Sequence, residues 1–73
     1  MIELRTVPDG TRVVVRYRLH GEPEAATDAV GFVSGRSSTQ VVIATVRGLA
    51  TIDFDDVIAA REVPPAPAPR APR

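Results

Sequence analysis

Arg12-Val-Val-Val-Arg-Tyr-Arg-Leu19 is the stretch that decides how this chain folds. It is built from β-branched and aromatic residues, with its arginines at alternate positions. Successive side chains of a strand point to opposite faces. Val13, Val15, Tyr17 and Leu19 therefore share one face, and Arg12, Val14, Arg16 and Arg18 share the other. The odd-numbered face carries no charge and is the expected core face. Upstream, Pro8-Asp9-Gly10 is a turn signal, and downstream His20-Gly-Glu-Pro-Glu-Ala-Ala26 reads as a polar loop.

Beyond that loop the pattern predicts a second strand from Thr27 to Val33, in which Gly31 marks a bend or a bulge. Ser34-Gly-Arg-Ser-Ser38 is expected to close a hairpin. The third strand, Thr39 to Val46, is apolar on both faces, with Val41 and Ile43 on one and Val42, Ala44 and Val46 on the other. Arg47-Gly48 supplies a tight turn into a short strand, Leu49 to Asp53. Asp53-Phe-Asp-Asp-Val57 reads as one turn of 3₁₀ helix, and Ile58 to Val63 as the closing strand. The expected fold is all-β: a small five-stranded SH3-like barrel with one 3₁₀ turn before the last strand. A barrel also disposes of the edges that so short an open sheet would leave exposed. An OB-like barrel is the competing architecture and would require a helix between the third and fourth strands.

The barrel is expected to occupy residues 1–63. After Val63 the composition changes to Pro-Pro-Ala-Pro-Ala-Pro-Arg-Ala-Pro-Arg over residues 64–73, a disordered tail or linker. Ten such residues in a polyproline II course would span about 30 Å at ~3.1 Å per residue.

Composition narrows the function classes. With 73 residues the stability of a single core is expected to be marginal. The absence of cysteine excludes disulfide staples, thiolate metal sites and a cysteine nucleophile. Nine arginines balance nine acidic residues, so no long-range field steers the whole chain toward a polyanion. No apolar run approaches a membrane span and the N-terminus lacks a signal-peptide pattern, so no membrane partner and a cytoplasmic location are expected. The exclusive use of Arg for positive charge, with neither Lys nor Asn, points to a GC-rich bacterial coding sequence.

Three segments, Gly10-Thr-Arg-Val-Val-Val-Arg-Tyr-Arg-Leu19, Thr27-Asp-Ala-Val-Gly-Phe-Val33 and Asp56-Val-Ile-Ala-Ala-Arg-Glu-Val-Pro-Pro65, carry a family resemblance. Together they resemble the SH3-like N-terminal domain of actinobacterial GNAT-family acetyltransferases, including histone acetyltransferase-like ones. The resemblance covers about residues 10–65. It implies that the Pro-rich segment leads to a catalytic domain that binds acetyl-CoA and acetylates an amine. That domain lies outside these 73 residues, so no catalytic or cofactor-binding residue of the family is carried onto them.

The candidate sites are few. Gly31-Phe-Val-Ser-Gly-Arg-Ser37 echoes a phosphate loop but has three residues between its glycines, Arg in place of Lys, and no following helix, so it reads as a hairpin turn. His20, Glu22 and Glu24, and separately Asp53, Asp55 and Asp56, are acidic or imidazole groups without the spacing of a metal loop. No metal or cofactor is assigned. No nucleophile motif surrounds Ser34, Ser37 or Ser38, and no catalytic residue is assigned. Arg12, Arg16 and Arg18 form a candidate polyanion face, opposed by Glu22, Glu24 and Asp28 nearby and by the scarcity of aromatics, so nucleic acid is disfavoured. Arg61-Glu-Val-Pro-Pro-Ala-Pro67 matches a Pro-rich ligand motif, a weak signal in a Pro-rich linker. The outward apolar set Val14, Val42, Val46 and Leu49 is the candidate docking face. The expectation is a non-catalytic accessory module of a GNAT-type acetyltransferase domain, in cis or in trans, that docks or homodimerises through that face. The alternative is a free-standing adaptor for protein or, less favoured, nucleic acid.

Overall fold

The computed structural model describes residues 2–21 and 25–64 of the chain. Five strands form one antiparallel sheet: β1 (Arg12–Leu19), β2 (Ala25–Arg36), β3 (Gln40–Thr45), β4 (Gly48–Asp53) and β5 (Val57–Glu62). Their order is β4-β3-β2-β1-β5. A single 3₁₀ turn, Phe54–Asp56, carries the chain from β4, at one edge, to β5, at the other. This is the all-β arrangement that the hydrophobic alternation predicts, but β4 and β5 do not pair with each other, so the sheet keeps the two edges that closure was expected to remove. β3 and β4 are joined by Val46 and Arg47 alone, which leaves no room for the helix of an OB-like barrel.

β2 is longer than its apolar run because it serves two partners. Its first part pairs with β1, from Leu19 opposite Ala25 to Arg12 opposite Phe32, and its second part with β3, from Gly31 opposite Thr45 to Arg36 opposite Val41. Ser34, Gly35 and Arg36, expected in the hairpin, belong to this strand. The turn itself is Ser37–Thr39, where the Ser37 Oγ accepts the backbone N–H groups of Thr39 and Gln40 at 3.2 and 3.1 Å.

Curvature is divided between two devices. The bulge falls at Ser34, where the β2–β3 register shifts between Val33 and Gly35. Gly31 stays in register and permits a close approach instead, since a Cβ there would overlap the carbonyl of Ala44. A second register shift lies opposite Arg16 and Tyr17 and leaves Ile58 as the extra residue of β5.

The core is Leu4, Val13, Val15, Ala29, Val33, Val41, Ile43, Ile52 and Ala60. Val13 and Val15 occupy the expected face of β1, and Tyr17 packs half-buried against the cluster. Leu19 does not complete that face. Pairing with β5 stops at Tyr17 opposite Val57, so the end of β1 runs past the strand that would cover it, and Leu19 is exposed.

Leu4 enters the core from outside the sheet. Residues Glu3 to Val7 form a turn closed by the Thr6 and Val7 N–H groups on the Glu3 carbonyl, at 3.2 and 3.0 Å. This places Leu4 among the core side chains with 3% of its surface exposed. Burial of a leucine is worth about 1.5–3 kcal/mol, a large share of what so small a barrel holds. The Arg5 guanidinium lies 4.5 Å over the ring of Phe54, and the Ile2 N–H donates to the Ala60 carbonyl at 3.0 Å. The expected turn at Pro8-Asp9-Gly10 follows, with Gly10 at a φ of 87°.

Candidate docking face

Because Val13 and Val15 face the core, Val14 faces outward, and the ladder determines what lies beside it. Val14 sits opposite Val30 on β2 and Arg61 on β5. Two residues along, Arg12 is opposite Phe32, Phe32 opposite Ala44, and Ala44 opposite Leu49. These outward positions form a continuous apolar stripe across four strands. Val30 and Phe32 are 42% and 47% exposed, and Leu49 is 69% exposed.

Each residue of the expected docking set has a defined place on this surface. Val14 and Leu49 stand at opposite sides of it. Val42 is partly buried on β3, opposite Thr51 and the Gly35 side of the bulge. Val46 lies beyond the strand, in the β3–β4 turn, and is fully exposed. What joins Val14 to Ala44 and Leu49 is the pair that sequence reading missed, Val30 and Phe32. Their signal was the alternation Ala29, Gly31, Val33, whose members all turn inward. A Phe in a small apolar strand is readily assigned to the core, but here the inward positions are restricted to small residues where β3 crosses closely.

Arginines border the stripe at one side, and two of them, Arg12 and Arg16, are occupied by their own chain. The Arg12 Nη1 donates to the Pro64 carbonyl at 2.7 Å, and the Val63 N–H donates to the Arg12 carbonyl at 2.9 Å. The chain thus leaves the barrel beside Arg12, directly across from Phe32. The Arg16 Nη1 lies 3.5 Å from the Asp28 Oδ1. Arg18 is exposed at the end of β1. Beside Val14, a shallow groove of about 360 Å³ is lined by Val14, Arg16, Asp28, Ala59, Ala60 and Arg61.

The candidate metal groups are drawn together at one point. The His20 Nε2 lies 2.7 Å from the Asp56 Oδ1 and links the loop after β1 to the 3₁₀ turn. Asp53 is engaged elsewhere, accepting the Gln40 Nε2–H at 2.8 Å. Among the described residues no three His, Asp or Glu side chains converge, and Glu22 and Glu24 lie outside those residues. Gly31 to Arg36, the phosphate-loop echo, is strand. The last three residues of the Arg61–Pro67 motif, and all of the Pro-rich segment after Pro64, lie outside the described residues.

The fold and its outward stripe define a small β-barrel module whose distinctive surface is apolar. The chain belongs to the family described as the Rv0428c N-terminal Sm-like domain, whose model matches residues 7–61. Comparisons with curated proteins and with solved structures found no match.

Proposed function

We propose that this chain is the non-catalytic accessory module of a GNAT-type N-acetyltransferase, tethered by its Pro-rich segment and docked through its outward apolar stripe. The observation that carries the docking part is the continuity of Val14, Val30, Phe32, Ala44 and Leu49 across four strands. Apolar patches of that kind, rimmed by charge, serve as interaction surfaces. The exit of the chain at Pro64, beside Arg12 and across from Phe32, supports docking in cis, because the linker itself begins next to the stripe. The acetyltransferase part rests on the resemblance of the three sequence segments, and membership of an N-terminal domain family is consistent with a leading module. The proposal assigns no chemistry to these residues.

The test uses the native polypeptide that carries this N-terminus. Its intact mass is measured first. The Phe32→Glu variant is then compared with it by small-angle scattering and by acetyl-CoA-dependent acetylation of amines. A mass well above 7.8 kDa, acetyl transfer, and a looser particle in the variant are expected. A longer chain without acetyl-CoA binding would refute the acetyltransferase assignment. Unchanged compactness and activity in the variant would refute docking through the stripe.

A further inference from the structure

The two edges of the sheet are not equivalent. β5 is partly covered, because the Ile2 N–H bonds the Ala60 carbonyl. Among the described residues, nothing pairs with the outer side of β4. The Phe54 N–H donates to the Thr39 carbonyl at 3.0 Å, in register with Thr45 opposite Gly48. Bonded pairs therefore fall at 39/54, 41/52, 43/50 and 45/48, and by the alternation of an antiparallel ladder Leu49, Thr51 and Asp53 direct their N–H and C=O groups away from β3. β4 carries no proline and a single charge, Asp53 at its end, so it has little of the usual protection of an edge strand.

We propose that two copies of this chain pair antiparallel along β4, about a two-fold axis at Thr51. That register matches outward residue with outward residue, placing Thr51 opposite Thr51 and Leu49 opposite Asp53 of the second copy, as sheet continuity demands. Charge selects a second copy as the occupant. Arg47 and Asp55 lie just beyond the two ends of β4, equidistant from Thr51 in sequence. Both are exposed, and neither has an ion-pair partner among the described residues. Antiparallel pairing about Thr51 brings Arg47 of each copy toward Asp55 of the other, twice per dimer. The proposal is independent of the docking stripe, whose centre at Val30 and Phe32 stays uncovered.

The full chain is followed by sedimentation equilibrium between about 1 µM and 1 mM, the range suited to a small edge interface. A monomer–dimer equilibrium is expected. Arg47→Asp and Asp55→Arg should each weaken it by about five- to twentyfold, two exposed ion pairs being lost, and the double variant should restore it. Thr51→Pro should abolish the dimer, since it removes an N–H that the monomer leaves to solvent. Circular dichroism reports whether Thr51→Pro remains folded, and the charge series decides the matter if it does not. A monomer at every concentration, a dimer indifferent to the charge series, or a larger head-to-tail assembly would each overturn the proposal.

Discussion

Arg36, at the end of β2, donates its Nε–H to the carbonyl of Leu4 at 3.1 Å, across 32 positions of sequence. The same guanidinium donates to the Val7 carbonyl and lies 3.4 Å from the Asp9 Oδ1. One side chain, only 25% exposed, therefore holds the N-terminal turn that delivers Leu4 to the core. Leu4 and the barrel are coupled through a charged group rather than through the sheet ladder.

Arg36→Ala should lower the unfolding free energy by about 2 kcal/mol, the scale of hydrogen bonds to a charged donor. Arg36→Lys should recover little of it, because a single ammonium cannot reproduce the fork that serves several acceptors. Urea denaturation of the three proteins measures this. Equal stability of wild type and Arg36→Ala would show that Leu4 holds its place by packing alone.

Two glycines of β2 should behave in opposite ways. Gly31→Ala drives a methyl group into the Ala44 carbonyl, a backbone atom that cannot rotate away, and should cost about 3 kcal/mol or leave the chain unfolded. Gly35→Ala meets nothing within 4 Å, and its effect should stay within about 0.5 kcal/mol of neutral. Thermal melts of both variants distinguish a steric requirement from a general intolerance of side chains in this bent strand.

The core face of β1 was legible at Val13, Val15 and Tyr17, because alternation in Arg12–Leu19 is a local signal, and it failed only at Leu19, where β5 no longer covers the end of β1. The division of β2 was not. Whether Phe32 or Gly31 faces the core depends on where β3 crosses, and that is a property of the folded sheet, not of the seven residues from Thr27 to Val33. The role of Arg36 was hidden for a related reason. In sequence it is a turn arginine between Gly35 and Ser37, and its partners Leu4, Val7 and Asp9 become neighbours only after the barrel closes. The stripe was half visible: Val14 and Leu49 follow from their own strands, but the residues that join them lie on the strand whose faces sequence could not assign.

Adjacent valines of β1 test the face assignment directly. Val13 is fully buried, whereas Val14 lies on the outward face and only partly buried. Val13→Ala should cost about 2–3 kcal/mol, and Val14→Ala less than about 1 kcal/mol. The ratio, read from denaturation midpoints at constant m-value, is the informative quantity. Equal losses would mean that the outer face of β1 is as enclosed as the inner one.

Phe32 offers the sharpest separation of stability from interaction. Its ring stands outward between Arg12 and Ala44 and leaves 47% of its surface in water. A glutamate there forfeits part of the contact with its cross-strand neighbours but places a carboxylate opposite Arg12, an attractive pair worth a few tenths of a kcal/mol at an exposed sheet position. The isolated 73-residue chain carrying Phe32→Glu should therefore retain its stability to within about 1 kcal/mol. The same substitution should abolish any association through the stripe, because a carboxylate at the centre of an apolar interface must be desolvated, a cost that its weak cross-strand pair with Arg12 does not offset. Denaturation of the isolated chain, set beside scattering of the native polypeptide, gives the two numbers needed. A large loss of stability in the isolated chain would place Phe32 in the structural core and remove the central residue of the proposed docking face.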